Sequence, residues 1–363
     1  MTPLFDDEHF MRIAIDEANK SRPSPNPKVG AVIVKDGKII SKGFHTAAGN
    51  PHAEIEAIKN AEGNTRDTTI YVTLEPCCHY GKTPPCTDAI IAAGISRVVV
   101  GMLDPDEKVK GTGIKILSES CDITTGVLET DCKNMLEGYI HHRTCKLPFV
   151  HLKSAITLDG FTATKSGDSK WITDETSRTI AHNIRSESDA VLVGINTVLK
   201  DDPDLTVRLC KGINPVRIVL DTNLKIPMNS KLVNTAGTLS DVIIIHKNGA
   251  DLKKIEALHN KNVKTIENPV DASGYLDLKN LISEFNNMGF LKIMVEGGAT
   301  VTGSFIRQNL ADKLSLFIAP KIIGEGISWS GFKGADSIKE GNNLKNLKVT
   351  TLANDILIEG YFK

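Results

Sequence analysis

Short apolar blocks of changing period divide the first part of the chain into alternating predicted helices and strands. Residues 8–20 have apolar positions at helical spacing, and the β-branched runs 31–35 and 39–43 flank an Asp-Gly pair, a strong signal for a tight hairpin. A second helix is predicted to begin near Pro51. The elements predicted after it are a strand at 69–74, a helix at 88–93 that stops at Gly94, and a strand at 97–101. This alternation predicts a mixed sheet flanked by helices.

The second part of the chain repeats the alternation of strands and helices. Its predicted strands lie at 149–154, 190–193, 216–220, 242–246 and 292–295. Helices fit between them, notably at 175–185 and 278–288. The tail carries strands with no helix between them, at 314–319, 349–353 and 356–362. We therefore expect a second α/β domain, with antiparallel edge strands on an otherwise parallel sheet.

A polar, basic segment separates the two parts. The chain has 363 residues, which exceeds the usual size of one hydrophobic core. Residues 138–148 (GYIHHRTCKLP) end in Pro and favour a boundary there. We therefore predict one α/β domain at 1–147 and a second at 148–363.

The composition limits the partners and the compartment. A net charge of −1, with both signs evenly mixed, gives no electrostatic attraction for a polyanion, so no nucleic-acid partner is expected. No charged and apolar leader opens the chain and no long apolar run follows, so we expect no membrane association and a cytoplasmic location. In that reducing compartment the clustered Cys77, Cys78 and Cys86 are better explained by metal ligation than by disulfides.

One cluster has the residue types of a catalytic zinc site. His52 and Glu54 lie at a predicted helix start, Cys77 follows a predicted strand, and Cys86 closes a polar loop. One imidazole and two thiolates leave the fourth position of a zinc ion open for water. Glu54 would point toward that position and carry the proton of the acidified water to leaving ammonia, as in a deaminase. The alternative is that His52 and Glu54 cap a helix and the cysteines are unrelated loop residues.

The sequence motifs around this cluster are more specific than those of a generic deaminase. The motifs are PNPKVG at 25–30, GFH at 43–45, PHAE at 51–54, TLEPC at 73–77 and GKTPPC at 81–86. Together they resemble the bifunctional deaminase/reductase of bacterial riboflavin biosynthesis. The loop between the two cysteines is longer than the two residues of cytidine and tRNA deaminases. The resemblance extends over nearly the whole chain.

For the first domain, the resemblance implies a cytidine-deaminase-like fold that hydrolyses the 2-amino group of a diamino-pyrimidinone ribosylamino 5′-phosphate. It implies that zinc is held by the cluster described above, with Glu54 as the proton shuttle. It also implies that Asn26 and His45 line the pyrimidine pocket.

The loop between the two cysteines departs from the family pattern. Cys78 and Tyr80 stand where the family usually has Ser and His, and Lys82 replaces the more usual Arg. Cys78 and His79 are also alternative metal ligands. Cys77 and Cys86 are favoured because a residue beside a turn does not point the same way as its neighbour.

The second domain resembles the family's reductase, which has a dihydrofolate-reductase-like fold and uses NADPH. The motifs that carry this resemblance are LDG at 158–160, WIT at 171–173, DDP at 201–203, LTVR at 205–208 and EGG at 296–298. The implied cofactor contacts are Ala155, Trp171, Thr197, Asp201, Thr222, Gly298, Ala299, Thr300, Val301, Thr302, Gly303 and Ser304. The implied substrate contacts are Lys153, Ser169, Arg185, Leu205, Arg208 and Glu296.

The residues themselves support the reductase less strongly than the deaminase. The EGG motif follows a predicted strand and precedes a predicted helix at 301–308. Its backbone amides could bind a cofactor phosphate, or its glycines could merely form a tight turn between strand and helix. No GxGxxG is present, so the cofactor site is not a standard dinucleotide fold. Arg185 and Arg208 are candidates for clamping a substrate phosphate, or surface ion-pair partners. Lys153 lies in an apolar strand and needs a partner, for which Asp201 and Glu296 are candidates.

The sequence therefore predicts deamination of a phosphorylated pyrimidine, followed by NADPH-dependent reduction of its ribosyl group, in a homo-oligomer. One alternative is a zinc deaminase whose second domain is a catalytically silent ligand-binding or dimerising module. The retained Asp201, Glu296 and glycine turn argue against it. Another alternative is an RNA-editing deaminase, against which the near-neutral charge and the few aromatic residues argue.

Overall fold

The chain divides into two units, Met1–Lys146 and Leu147–Lys363, and no sheet is shared between them in the part that the structure describes. The computed structural model describes residues 6–80, 84–106, 109–331, 334 and 336–362. None of the helices in these ranges is long and apolar enough to span a membrane.

The described part of unit 1 is one mixed sheet with helices packed on it. The sheet has the strand order β2-β1-β3-β4-β5, in which β1 is antiparallel to β2 and β3, whereas β3, β4 and β5 are parallel. The strands are β1 Gly30–Lys35, β2 Lys38–Phe44, β3 Thr69–Leu74, β4 Arg97–Met102 and β5 Asp122–Thr125. The helices are α1 Asp7–Ala18, α2 Ala53–Asn60, α3 Cys86–Ala92, α4 Thr112–Leu117, α5 Glu129–Met135 and α6 Glu137–Cys145.

The hairpin and the first helix form where the sequence predicted them. Asp36 and Gly37 both have positive φ, 50° and 72°, which is the geometry of a two-residue hairpin turn. Helix α1 begins after Asp6, whose side chain accepts the amide of His9 at 3.0 Å. Its buried residues include Phe10 and Ala14. The apolar residues at helical spacing therefore form the face that packs against the rest of the unit.

A close contact between a glycine and a helix sets the position of α2. A Cβ atom at Gly43, in β2, would lie 2.3 Å from the carbonyl oxygen of Ala53 and 2.4 Å from the amide nitrogen of Ala57. Only a residue without a side chain therefore lets the first turns of α2 lie so close to the sheet. The start of α2 carries His52 and Glu54, so this contact bears directly on the candidate metal site.

The boundary segment between the units is helical. Helix α6 occupies most of the polar stretch in which the sequence placed the boundary, and it ends at Lys146, whose φ is 58°. A left-handed residue there terminates the helix just before the first strand of unit 2.

The described part of unit 2 is built on a nine-stranded sheet with the order β11-β10-β9-β8-β12-β6-β13-β16-β15, plus a two-stranded sheet of β7 and β14. Its strands are β6 Phe149–Thr157, β7 Phe161–Thr164, β8 Ala190–Gly194, β9 Val216–Leu220, β10 Val242–His246, β11 Val263–Glu267, β12 Lys292–Val295, β13 Lys313–Ala319, β14 Gly326–Ser328, β15 Lys345–Leu352 and β16 Asp355–Tyr361. Its helices are α7 Glu175–Ser186, α8 Ile195–Asp201, α9 Lys231–Asn234, α10 Leu252–His259, α11 Leu278–Asn287 and α12 Ala299–Arg307, with a 3-10 helix at Ile338–Glu340.

Both faces of the parallel part of this sheet are covered. Leu192 of β8 packs in a core cluster with Phe285 and Phe305 of α11 and α12, whereas its neighbour Val191 packs in a second cluster with Leu258 of α10. Burial on both faces explains why these strands read as continuous apolar runs rather than as alternating ones.

The tail of unit 2 differs in one strand from the sequence prediction. β15 and β16 are antiparallel to each other, as predicted, but only β15 lies at the sheet edge, because β16 is paired with β13 on its other side. β13, by contrast, pairs parallel with β6 and antiparallel with β16, so it belongs to the parallel part of the sheet and is not an antiparallel edge strand. The helix that precedes it, α12, returns the chain across the sheet and makes the parallel pairing possible.

Candidate functional site

Three soft metal-binding side chains meet in unit 1. His52 is the N-cap of α2, Cys77 follows β3, and Cys86 begins α3. The ligand atoms of these three residues lie within 4.8 Å of one another. His52 Nδ1 is 3.5 Å from Cys77 Sγ and 3.3 Å from Cys86 Sγ. One nitrogen and two sulfurs at these separations are the donor set of a zinc site with three protein ligands.

The electrostatics of the cluster favour a thiolate. A hydrogen bond with Cys86 and another with His52 lower the pKa of the Cys77 thiol. The amide of Cys86, at the start of α3, also donates to Cys77 Sγ at 3.4 Å. A thiolate is the form in which cysteine binds a metal, so the surroundings of Cys77 prepare it for that role.

Glu54 lies beside this cluster and outside its ligand set. It stands in the first turn of α2 and is only 3% exposed. Burial raises the pKa of its carboxyl group, and the nearby Cys86 side chain contributes a hydrogen bond to it. A carboxyl whose pKa is raised is better suited to accept and return a proton than an ordinary carboxylate.

Asn26 and His45 form a fixed pair next to the metal ligands. His45 Nδ1 lies 3.0 Å from the carbonyl oxygen of Pro51, so Nδ1 carries the hydrogen. His45 Nε2 then accepts the side-chain amide of Asn26 at 3.0 Å. Burial lowers the pKa of His45, which keeps the ring neutral, and its ring centroid is 5.3 Å from that of His52.

Glu75 is a buried residue whose role the sequence did not reveal. Its carboxylate accepts backbone amides from Asp104 at 3.2 Å, Gly111 at 2.9 Å, Gly113 at 3.0 Å and Ile114 at 3.3 Å. Charged acceptors of several amides form strong hydrogen bonds, so Glu75 ties the end of β3 to the start of α4. In the sequence, the Glu-Pro-Cys triplet marks Glu75 as part of a motif, but it does not indicate which backbone amides Glu75 binds.

Two of the residues that depart from the family pattern, Cys78 and Tyr80, are not members of the metal cluster. Cys78 is partly exposed and outside the cluster. Tyr80 is 77% exposed, and its hydroxyl donates to Asp88 at 3.2 Å. His79 is also exposed. Lys82 and the start of the GKTPPC motif, residues 81–83, lie outside the described residues.

A cleft of about 370 Å³ opens in unit 2. Gly194, Thr222 and Gly298, which line it, lie at or after the carboxyl ends of β8, β9 and β12. The carboxyl edge of parallel strands is where open α/β sheets bind ligands. The volume lies within the range of small-molecule and cofactor pockets.

Most of the residues predicted to contact the cofactor line this cleft. These are Thr197, Asp201, Thr222, Gly298, Ala299, Thr300, Val301 and Ser304, together with Ser169 from the predicted substrate set. Four predicted cofactor residues are not among the lining residues: Ala155 in β6, Trp171, and Thr302 and Gly303 on the buried face of α12. Trp171 is 66% exposed, and the guanidinium of Arg178 stacks on its ring at 4.5 Å.

The glycine turn brings the backbone of α12 to the cleft. Gly298 is the N-cap of α12 and has no side chain to cap its free amides. A Cβ at Gly297 would lie 2.6 Å from Cβ of Val301, so this position also requires glycine. The uncapped start of a nine-residue helix is a suitable receptor for a phosphate group.

A charged cluster in unit 2 contains several predicted substrate residues. Arg185 binds Glu296 in a bidentate pair, Nε to Oε1 at 2.7 Å and Nη2 to Oε2 at 2.9 Å. Both side chains are almost fully buried. Although burial alone raises it, the charges of Arg185 and Lys153 lower the pKa of Glu296 to about 2.

Of the two partners considered for Lys153, Glu296 is the one that interacts with it electrostatically. Burial lowers the pKa of Lys153, and its ammonium lies 5.7 Å from the ring centroid of Phe317. Asp201 instead lies 3.8 Å from the ammonium of Lys170.

The remaining predicted substrate residues are unequally accessible. The side chain of Arg208 is 51% exposed, and its Nη1 donates to Thr206 Oγ1 at 2.8 Å. Leu205, whose φ is 55°, packs in a core cluster and is only 4% exposed. A contact from Leu205 to a substrate would therefore have to come from its backbone.

Comparison with known proteins agrees with this two-part organisation. Residues 5–102 match the family model of the cytidine and deoxycytidylate deaminase zinc-binding region, and residues 148–358 match that of the RibD C-terminal domain. The riboflavin biosynthesis protein RibD of Aquifex aeolicus is 43% identical over 98% of this chain and 98% of its own. RibD of Escherichia coli is 36% identical over 88% of this chain and 89% of its own.

The chain belongs to the RibD family. The crystal structure of a diaminohydroxyphosphoribosylaminopyrimidine deaminase/5-amino-6-(5-phosphoribosylamino)uracil reductase from Thermotoga maritima is 38% identical, with a TM-score of 0.83 over 98% of each chain. As a member of the RibD family, the chain is a bifunctional deaminase/reductase of riboflavin biosynthesis. It combines a deaminase domain of cytidine-deaminase-like fold that takes zinc with a reductase domain of dihydrofolate-reductase-like fold that uses NADPH.

The geometry of the cluster predicts its metal content. The purified protein should hold about one zinc per chain, and Cys86→Ser should lose most of it because the remaining two ligands bind zinc weakly. Cys78→Ser is the matched control and should keep the metal, since Cys78 lies outside the cluster. Elemental analysis of both variants measures this, and loss of zinc in Cys78→Ser would show that the ligands are wrongly assigned.

Proposed function

We propose that residues 1–147 deaminate 2,5-diamino-6-ribosylamino-4(3H)-pyrimidinone 5′-phosphate and that residues 148–363 then reduce the ribosyl group of the product to ribityl. The observation that carries the first half is the convergence of His52, Cys77 and Cys86 beside the buried Glu54. The cleft at the carboxyl edge of the unit 2 sheet supports the second half. The Thermotoga maritima relative likewise combines a pyrimidine deaminase with a uracil reductase.

The residues of the first site fit a catalytic zinc. In this proposal His52, Cys77 and Cys86 would hold the ion, because one nitrogen and two sulfurs are the donor set of a zinc with three protein ligands, which binds water as well. Zinc bound in this way lowers the pKa of a water molecule to about 7 and so provides a nucleophile at neutral pH.

Glu54 moves the protons of the deamination. Its buried carboxyl group lies next to Cys86 and outside the ligand set, and burial raises its pKa. It therefore accepts the proton that the attacking water releases and delivers it to the departing amino group. Because Glu54 is 3% exposed, bulk water does not compete for this proton transfer.

Asn26 and His45 orient the pyrimidine. The pair is linked at 3.0 Å, and the backbone carbonyl of Pro51 fixes the tautomer of His45. Because both ring nitrogens of His45 are used in these contacts, His45 holds the side-chain amide of Asn26 in one orientation, and that fixed amide favours one orientation of the pyrimidine.

The cleft of unit 2 fits the phosphates and ribose of NADPH. Gly298, Ala299 and Thr300 would receive a phosphate at the start of α12. Thr197 and Asp201 of α8, with Thr222 after β9, would line the rest of the cofactor site. The assignment extends to Val301, Thr302, Gly303 and Ser304 along α12, and to Ala155 and Trp171. NADPH, when bound, would supply a hydride to the ribose carbon bearing the amine; the bond from that carbon to the ring oxygen breaks, and this oxygen takes a proton from water as the ribityl chain forms.

The substrate of the reductase lies between the cleft and the charged cluster. Lys153 and Glu296 would contact its polar groups, and Ser169 lies on the cleft wall. Arg208, half exposed, would bind the 5′-phosphate. Arg185 and the backbone of Leu205 complete the assigned contacts.

The proposal includes a homo-oligomer that works in the cytoplasm. Exposed apolar side chains on the edge strand β15 and on its neighbour β16, among them Leu347, Val349 and Ile356, support self-association. The seven free cysteines support a reducing compartment.

Glu54→Gln tests the proton shuttle. Glutamine keeps the shape and removes the ionisable carboxyl, so deamination should fall by about 100-fold or more while zinc stays bound. Glu56→Gln, two residues on in the same helix, is the matched control and should behave as wild type. Ammonia release measures the rate, and near-normal release by Glu54→Gln would remove the residue from the mechanism.

Asp201→Ala tests the reductase and its independence from the deaminase. If Asp201 aligns the cofactor with the ribose, its loss should slow NADPH oxidation by about 100-fold or more. If Asp201 is only a solvated surface carboxylate, the substitution should not change the rate. Glu256→Ala, an exposed acid in α10, should change neither step.

The products identify the function as a whole. Wild type, given the diamino substrate and NADPH, should yield the ribityl product, and Asp201→Ala should stop at the deaminated compound. Glu54→Gln should still reduce deaminated substrate that is supplied to it. Mass spectrometry of the products decides this, and a wild-type reaction that ends at the deaminated compound would make unit 2 a silent module.

A further inference from the structure

The segment that carries Arg208 has no regular secondary structure. Residues 202–208 belong to neither a helix nor a strand in unit 2. Their backbone amides and carbonyls are not paired in a regular ladder, and the amides of Val207 and Arg208 are bound by the side chains of Asn214 and His182. The position of the Arg208 guanidinium consequently depends on these side-chain contacts.

Two residues of α7 provide such contacts from one face of the helix. His182 Nδ1 accepts the backbone amide of Arg208 at 2.9 Å. Arg185, three residues later, donates from Nη1 to the carbonyl oxygen of Thr206 at 2.6 Å. Residues three apart in a helix lie side by side, so both contacts come from neighbouring points on α7.

The same helix face also reaches Glu296. Arg185 uses Nε and Nη2 for its bidentate pair with that carboxylate, so α7 links the irregular segment to the residue that follows β12. Arg208 in turn rests on the segment, since its Nη1 donates to Thr206 Oγ1 at 2.8 Å. The chain of contacts therefore runs from α7 through Thr206 and Arg208 to the exposed guanidinium.

His182 is suited to this task because it is neutral. It is 6% exposed, and burial together with the charges of Arg185 and Arg208 lowers its pKa to about 4. A neutral ring with Nδ1 as acceptor carries its hydrogen on Nε2. A protonated ring would instead turn an N–H toward the amide of Arg208 and break the contact.

We propose that His182 is a positioning residue for the reductase, which holds the backbone of Arg208 so that its guanidinium meets the 5′-phosphate of the substrate. The proposal rests on the proposed function of Arg208 as the phosphate contact. His182 acts through Arg208 and does not itself touch the reacting atoms. It thereby sets the affinity for a phosphorylated substrate and leaves the NADPH cleft unaffected.

Two polar variants test which atom of His182 matters. His182→Asn places an acceptor near the position of Nδ1, whereas His182→Gln places one near that of Nε2. With deaminated substrate and saturating NADPH, His182→Asn should keep KM within about threefold of wild type. His182→Gln should raise KM on the order of tenfold, since a misplacement of about 1 Å can cost about 100-fold. Asn183→Ala, at the exposed neighbour on α7, is the matched control.

Additional readouts separate positioning from a general loss of structure. In His182→Gln, the Kd for NADPH and the rate of deamination should equal those of wild type. The effect should also disappear in an Arg208→Ala background, because residues that act through one another are not additive. Equal KM values for the Asn and Gln variants, a parallel loss of NADPH binding, or an additive effect with Arg208→Ala would each overturn the proposal. If Arg208→Ala alone leaves KM unchanged while wild type reduces the substrate, the assignment of Arg208 fails and the proposal fails with it.

Discussion

The deaminase site depends on bringing one imidazole and two thiols from separate elements to within 4.8 Å of one another. Bringing these polar groups together removes water from them, which costs free energy unless a metal ion or hydrogen bonds replace the lost contacts. The surrounding fold must therefore hold them in place. The framework is visible in two contacts. Gly43 lets α2 approach β2, and Glu75 fixes the end of β3, after which Cys77 follows, through four backbone amides.

In unit 2 the comparable constraint is the buried pair of Arg185 and Glu296. A buried carboxylate is costly unless it is paired and hydrogen-bonded, and this one is held by two parallel bonds and by the charge of Lys153. The pair joins α7 to the end of β12, and both the glycine turn and the irregular segment are attached to these elements. The residue that precedes the glycine turn and the segment that carries Arg208 are therefore connected through Arg185.

Patterns that act locally could be predicted from the sequence, whereas long-range contacts could not. The hairpin at Asp36-Gly37 and the apolar strands of unit 2 follow from turn chemistry and from burial on both faces. The parallel pairing of β13 with β6 could not be predicted, because strand order depends on where α12 returns the chain. Likewise, the motif containing Glu75 was visible, but its amide partners lie 29 to 39 residues further along the chain.

The deaminase mechanism requires a zinc ion with three protein ligands and one open position. X-ray absorption at the zinc edge of the purified protein measures this directly. We predict two sulfur neighbours at about 2.3 Å, one imidazole nitrogen at about 2.0 Å, and one further oxygen from water. A shell with three sulfurs, or with four protein ligands and no water, would bring a residue such as Cys78 into the site and would contradict an open catalytic position.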